Sequence, residues 1–593
     1  MAAPAVWAPK AQDRVDLVVG EERIPMARGE RGWWSAPQPL RGGTDYAFSL
    51  DGGASRPDPR ARRMRHGVHG PSTWFDPADL AWDDDHWDGT DLERGVVYEL
   101  HVGTFTEQGT LDSAVERLDH LVRLGVTMVE LMPLAAFPGQ HGWGYDGVDL
   151  YAVHEPYGGP EALHRFVQAC HWRGLGVCLD VVYNHLGPSG NYLAEFGPYF
   201  TDAYATPWGD AVNLDGPGSD EVRAFFIDNA VQWLRDFHVD ALRLDAVHAL
   251  HDDDRAMSFL EELSGTVDGL AEDLGRPLWL IAESDRNDPR TVLPRTRVGS
   301  LGGGSGIDAQ WADDVHHALH VVMTGESHGY YADFADPTAL AKVLTTPFFH
   351  DGTWSSFRGR THGQPVDRER QPGWRFVASL QTHDQVGNRA SGDRLSQLVD
   401  AGTLACGAAL LLTSPYTPML FMGEEWGAGT PWQFFTDHEE PELVEAIRQG
   451  RRAEFASHGW EAEVPDPQSP ATVAASTLDW NELAEDAHVR LLRWYAGLLA
   501  ARRARPDLRD PHLDQVVVHH DHDARTVVVE RGRHRVLVNL GDEERAVDAH
   551  LPATDRSTVA VVLAWVGATV VGDDGVVALP ARSACVLGPR AAG

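Results

Sequence analysis

The sequence predicts an α/β fold: a (β/α)8 TIM barrel carried between an N-terminal β-sandwich and a C-terminal antiparallel β-domain. Three observations predict it. Eight short apolar runs alternate with helix-like stretches through the middle of the chain. Acids and histidines stand where several of those runs break into polar residues. Before and after this region the chain reads as short strands cut by Gly, Pro and Asp. At 593 residues it is long enough for more than one domain.

Residues 1–88 carry VDLVVG, RGWWSAP and TDYAFSL, which read as strands of a small β-sandwich. The acidic stretch WDDDHWDGTDLERG that follows reads as a linker. The barrel domain is placed at 89–507. Its eight strand runs are VVYELHV from Val96, TMVELMPL from Thr127, GVCLDVV from Gly176, then DALRLDA, PLWLIAE, GIDAQWA, RFVASLQ and TPMLFMG. Helices are expected around Leu111–Leu124, Pro160–Arg173 and over SDEVRAFFIDNAVQWLRDF, where apolar residues recur at three and four spacing. An irregular insert near 186–218, rich in Gly, Pro and Tyr, should lie over the barrel mouth. From 508 to 593, DQVVVHH, TVVVERG, HRVLVNL, TVAVVLA and SACVLGP predict the C-terminal β-domain.

Apolar residues make up 43% of the chain and charged residues 23%, as in a water-soluble globular protein. A net charge of −38 argues against nucleic acid and anionic membranes as partners, while a neutral sugar would be indifferent to it. Cys170, Cys178, Cys406 and Cys585 fit neither a zinc pattern nor a disulfide framework. There is no secretory signal and no apolar run of the ~18 residues that span a membrane. A soluble cytoplasmic protein is expected.

Three carboxylates end three separate runs: Asp245 in ALRLDAVHAL, Glu283 in LWLIAES and Asp384 in FVASLQTHDQVGN. Residues two apart on a strand share a face, so Arg243 should point with Asp245 into the mouth and depress its pKa. An acid kept ionised suits a nucleophile. Glu283 follows LWLIA, and loss of water there should raise its pKa and keep it protonated, as a proton donor requires. That donor–nucleophile pair is what retaining glycosidases use. Singly, each acid reads equally well as a buried ion pair or a helix cap; their recurrence at strand ends favours chemistry. His383 stands beside Asp384, and DVVYNH brings Asp180, Asn184 and His185 out of the third strand. No acidic loop is complete enough for calcium, so neither metal nor cofactor is expected. Tyr145, in HGWGYDGVDLY, is the aromatic best placed to stack on a sugar; Trp143, Trp208, Tyr330, Tyr331 and Trp354 are weaker candidates.

DVVYNH, ALRLDAVH, IAES and THD resemble, in order, the four signature regions of the α-amylase family of glycoside hydrolases. The resemblance spans the barrel. It implies Asp245 as nucleophile, Glu283 as general acid/base and Asp384 as transition-state stabiliser. It also implies that Arg243, His185 and His383 hold the cleaved sugar and that His248 reaches the leaving-group side. The N-terminal domain resembles the carbohydrate-binding-module-like domain of branching, debranching and trehalose-releasing members. DAQWADDVHHALHVVMTGESHGYYADF resembles the trehalohydrolases acting on maltooligosyltrehalose. DFHVDALRLDAVHALHD and FMGEEWGAGTPWQFFTDH point the same way. The implied reaction is hydrolysis of the α-1,4 bond next to the terminal trehalose. His316, His317, Glu326, Tyr330 and Tyr331 are the expected source of selectivity. The rivals are a glycogen branching enzyme on the same scaffold and a non-catalytic glucan-binding protein; the latter predicts loss of an acid, and all three are present.

Overall fold

The computed structural model describes residues 3–252, 255–296, 303–457, 465–567 and 574–590. All eight predicted runs are strands of one closed parallel barrel, paired in chain order. Strands one to four are Val97–Leu100, Met128–Leu131, Gly176–Val181 and Ala241–Leu244. Strands five to eight are Trp279–Ala282, Ala309–Trp311, Phe376–Ser379 and Thr417–Phe421. Strand eight closes on strand one through Met419 opposite Val97. Val97, Met128, Cys178, Ala241, Ile281, Ala309, Val377 and Met419 fill the lower interior, so the barrel is plugged below and open only above.

The expected Leu111–Leu124 helix is two pieces, Leu111–Val115 and Leu118–Leu124. Thr110 opens the first by accepting from the Ser113 N–H, with Ser113 answering in a capping box. The helix over Gly159–His171 matches its expected position. The next, Ser219–Val231, ends in a π turn over Gln232–Asp236.

Two antiparallel sheets form the N-terminal domain, one of three strands and one built around Val15–Val19 and Asp45–Leu50. Its core residues Trp34 and Phe48 belong to the same apolar cluster as the barrel. Trp7 lies against Tyr199 of the insert, with ring centroids 5.2 Å apart, and a Cβ at Gly197 would come within 2.7 Å of its ring. The N-terminal domain therefore braces the insert. That insert is more regular than the sequence suggests: it holds a hairpin of Phe200–Thr206 and Gly209–Val212. The C-terminal domain is a five-stranded antiparallel sheet plus a two-stranded one around its own core of Val528, Leu537, Val577 and Leu587.

The acidic stretch after residue 81 is not a solvated linker. It straps the N-terminal face of the barrel. Trp82 stacks on His238 with centroids 3.8 Å apart, and Trp87 stacks on His171 at 4.5 Å. Asp84, only 6% exposed, meets His171 Nδ1 at 2.8 Å and His238 Nδ1 at 2.9 Å. Buried Asp240 receives His171 Nε2 at 3.0 Å, the Trp87 indole N–H at 2.7 Å and Arg276 at 2.8 Å. Burial works against the His171 charge, but Asp240 and Asp84 outweigh it and raise its pKa. Asp84 is the buried aspartate of this stretch because two histidines distant in sequence, His171 and His238, come to meet it.

Among the described residues no helix is long and apolar enough to cross a membrane.

Candidate active site

The mouth of the barrel is organised around Arg243, 1% exposed on strand four. Its Nη1 donates to Asp180 Oδ1 and Oδ2 at 2.9 and 2.8 Å and to Asp245 Oδ1 at 2.8 Å. Its Nη2 meets Glu283 Oε2 at 2.8 Å. One guanidinium thus joins the ends of strands three, four and five. The Trp311 ring lies against its face, 4.4 Å from Cζ, so the charge is held flat and away from water.

Arg243 and Asp245 do face the same side, as their spacing predicts. The predicted direction of the Asp245 shift is wrong. Burial pushes the Asp245 carboxyl up; Arg243 pulls it back only in part, and Asp180, which shares that guanidinium, adds to the rise. The dry setting expected for Glu283 is also absent. Its side chain keeps 19% of its surface, and Oε2 accepts from Arg243 and, at 2.8 Å, from the Ala246 N–H. Ala246 holds φ +39° to aim that N–H, a strained conformation for a residue with a Cβ, placed directly after Asp245.

Asp384 enters on the first turn after strand seven, where the Thr382 hydroxyl accepts its N–H at 3.2 Å. Burial raises its pKa, His383 opposes this, and Glu283 reinforces it. Asn388 donates to its Oδ1 at 2.7 Å. His383 is tied to Glu99 of strand one, with Nδ1 to Oε1 at 2.5 Å, and its Nε2 lies 2.8 Å from the Tyr145 hydroxyl. That hydroxyl donates to Asp180 Oδ2 at 2.7 Å. Burial alone would discharge His383, but Glu99 overrides it and the group reaches about 9. A continuous chain therefore runs Glu99–His383–Tyr145–Asp180–Arg243 and on to Asp245 and Glu283.

The His383 charge gives a stability prediction. Its folded pKa lies above the ordinary value of about 6.5. The stabilisation is thus complete below about 6.5 and lost as pH rises through about 9. The Tm gap between the unmodified protein and Glu99→Gln should be wide near pH 6 and close above pH 9. A gap constant across that range would mean that the pair is not ionised in this way.

His185 lies beside Tyr145, its Nε2 3.1 Å from the Tyr145 carbonyl, with the exposed Trp208 stacked on it at 4.5 Å. Among the described residues its buried Nδ1 has no hydrogen-bond partner, and burial lowers its pKa to about 4. His248 Nδ1 accepts the Asp285 N–H at 3.3 Å, which places it beyond Glu283. Trp143 is not free to stack on a ligand: it is buried against Trp432, centroids 5.5 Å apart.

A cavity of about 410 Å³ opens beside Asp384, lined by Asp285, Asp313, Tyr330, Arg358 and Arg389 among others. Tyr330, Tyr331 and His317 of the segment after strand six line it. His316 and Glu326 do not; they stand behind it. His316 Nε2 meets the Tyr331 hydroxyl at 3.1 Å, and Glu326 grips Arg389 at 2.8 and 2.9 Å and His320 at 2.7 Å. His320 stacks on Tyr331, centroids 4.3 Å apart, so this set fixes the Tyr330–Tyr331 wall. The opposite wall is the hairpin of Thr353–Ser355 and Arg360–His362, which presents Phe357 and pairs Arg358 with Asp285. A larger depression of about 870 Å³ lies beside His101 and Trp480, and none of the three strand-end carboxylates lines it. Among the described residues, no three His, Cys, Asp or Glu side chains gather as metal ligands would.

Sequence reasoning missed Glu99, Trp311, Asp313, Phe357 and Arg358. For Glu99 a signal existed: a charged residue inside the apolar run VVYELHV, on a strand with little room for solvent.

Residues 82–205 match the family model for the alpha-amylase catalytic domain. The chain is 61% identical over 507 residues to a malto-oligosyltrehalose trehalohydrolase of Arthrobacter ramosus, covering 84% of this chain and 87% of that one. It is 51% identical over 592 residues to one from Rhizobium sp. (strain M-11), covering 98% and 97%. A 1,4-alpha-glucan branching enzyme of Bacillus cereus is more distant, 29% identical over 474 residues, covering 73% and 67%. Among solved structures, a Salmonella typhimurium protein described as a candidate alpha amylase superposes with a TM-score of 0.88 at 36% identity, covering 98% of this chain and 97% of that one. Identity at this level along nearly the whole sequence, on a barrel of this construction, leaves one placement: the chain belongs to the malto-oligosyltrehalose trehalohydrolases of the α-amylase family.

Proposed function

We infer that the protein hydrolyses the α-1,4-glucosidic bond next to the terminal trehalose of maltooligosyltrehalose, releases trehalose and retains anomeric configuration. The observation that carries this reading is the single guanidinium of Arg243 holding Asp245 and Glu283 together at the mouth of a trehalohydrolase barrel.

In this reading Asp245 is the nucleophile. Its Oδ1 is held by Arg243, which leaves Oδ2 to attack the anomeric carbon. Glu283 is the general acid/base. Both of its contacts fall on Oε2, which leaves Oε1 to carry the proton to the glycosidic oxygen. Trehalose departs with that proton. Water then gives a proton back to Glu283 and attacks the glycosyl–Asp245 ester from the vacated side; two inversions give retention. Asp384 is the third acid, positioned to accept from hydroxyls of the distorted ring as charge develops. His383, charged by Glu99, and Tyr145 line the same sugar. The departing disaccharide lies beyond Glu283, towards His248, Tyr330 and Tyr331. The protein acts inside the cytoplasm on a soluble glucan.

The test is to incubate the protein with maltooligosyltrehalose and, separately, with the plain maltooligosaccharide of equal length. Trehalose should appear from the first, with at least a tenfold higher kcat/KM than for cleavage of the second. Equal rates would make it a general amylase. New α-1,6 bonds in the products would make it a branching enzyme.

A further inference from the structure

The short helix His383–Gly387 leaves strand seven and ends on Asn388, whose N–H reaches back to the Asp384 carbonyl at 3.0 Å. Residues 384 and 388 therefore lie one turn apart on one face, and both line the cavity at the mouth. The Asn388 side-chain amide donates to Asp384 Oδ1 at 2.7 Å. Its other end, Oδ1, accepts from Arg451 Nη1 at 3.1 Å. Arg451 Nη2 donates to the Gly387 carbonyl at 3.0 Å. Arg451 belongs to the helix Pro441–Ser457, beyond strand eight and 63 residues from Asn388.

A side-chain amide has one donating end and one accepting end. A guanidinium can only donate and an ionised carboxylate can only accept, so Arg451 and Asp384 demand the same orientation of Asn388. Reversed, the amide would turn N–H groups towards Arg451 and its oxygen towards the Asp384 carboxylate, two repulsive contacts in place of two hydrogen bonds. Asn388 is exposed, so without Arg451 its amide could rotate into water. Arg451 removes that freedom. Its guanidinium is itself held over the Phe434 ring, 4.6 Å from Cζ to the centroid, and Phe434 packs on buried Trp143 with centroids 5.1 Å apart. We propose that Arg451 is a positioning residue for the reaction: by fixing the Asn388 amide it keeps a donor on Asp384 Oδ1 and leaves Oδ2 to accept from hydroxyls of the distorted sugar. This rests on the reading of Asp384 as the third acid.

Asp384 must be ionised to accept from those hydroxyls. Burial pushes its pKa up and Glu283 adds to the rise, while His383, Arg243 and the Asn388 hydrogen bond pull it down. Asp313, His317 and Tyr330 of the segment after strand six share its cavity, with the pairs Asp285–Arg358 and Arg389–Glu326 beside them. Substitutions at 388 and 451 leave all of these groups in place. A hydrogen bond withdrawn from a carboxylate raises its pKa, so the acidic limb of kcat should move to higher pH.

The experiment is a double-mutant cycle on trehalose release from maltooligosyltrehalose, with Asn388→Leu, Arg451→Leu and the pair. Asp384→Asn is run first and should lose more than about a hundredfold in kcat. An active Asp384→Asn enzyme would sink the reading of Asp384 itself, whatever Arg451 does. Arg451→Leu should lower kcat about tenfold with KM within about twofold of normal. Both single variants should move the acidic limb up by about half a pH unit or more. The pair should match Asn388→Leu within about twofold, because Arg451 then has no amide to hold. Losses that multiply in the pair, an unmoved acidic limb, or a normal kcat in Arg451→Leu each overturn the proposal. If Arg451→Leu does not fold, Arg451→Gln takes its place in the same cycle, read by the same outcomes.

Discussion

Asp245→Asn is expected to lower kcat on maltooligosyltrehalose by roughly a thousandfold or more and, at the same time, to raise the Tm. The first effect follows from the chemistry: an amide does not form the glycosyl ester, so the two-step route closes. The second follows from the direction of the Asp245 shift. Its folded pKa is raised, mainly by burial, so the folded protein disfavours this charge despite Arg243. For a carboxyl raised in this way, the native state is penalised at neutral and alkaline pH and relieved as pH falls below the ordinary value of about 3.9. The stability gain of the asparagine variant should therefore be present near pH 8 and vanish in acid. Calorimetric scans of both proteins across that range check it. An inactive variant that is less stable at pH 8 would show that the Arg243 contact outweighs burial.

Arg243→Leu should have the largest effect on the whole molecule. One buried guanidinium serves Asp180, Asp245 and Glu283. Removing it leaves three carboxylates crowded at the mouth, with charged His383 as the cation still near them. Breaking a buried pair from one side costs about 3–5 kcal/mol, a large part of a typical net stability of ~5–15 kcal/mol. The carboxylates can escape this only by taking protons, and a protonated Asp245 is no nucleophile. Activity should fall by more than roughly a thousandfold, with a clear drop in the urea midpoint. Arg243→Lys keeps a charge but not the planar fork that reaches strands three and five together. It should recover much of the stability and little of the activity. A leucine variant within tenfold of normal activity would remove Arg243 from the centre of the site.

The strands were legible because a parallel barrel buries both faces of each one, so VVYELHV or RFVASLQ reads as a continuous apolar run. The strand-end acids were legible for the complementary reason: polar residues have no place in such runs unless a solvent-facing mouth begins there. The error over Asp245 lies in what spacing can convey. Arg243 is two residues away and visible in RLD, whereas the burial that raises Asp245, and after it Asp180 on strand three, which competes for the same guanidinium, arrive only through the fold. Asp313 and Asp314 are the same residue in adjacent positions, and nothing local distinguishes Asp314, which accepts from the Phe349 and His350 N–H groups and the Asn287 amide, from Asp313, which lines the cavity. The strap was misjudged likewise, since an acidic run looks solvated until His171 and His238 are placed beside its Asp84.

That strap limits how this architecture can be rearranged. A module joined to an enzyme by a loose tether can be exchanged at the tether. Here the segment after residue 81 supplies partners to His171 and Asp240 at the closed end of the barrel. A graft made at residue 88 would leave a doubly paired histidine without Asp84 and an aspartate without Trp87. An exchange of the N-terminal domain that keeps these contacts cuts ahead of Trp82, so the strap travels with the barrel it closes.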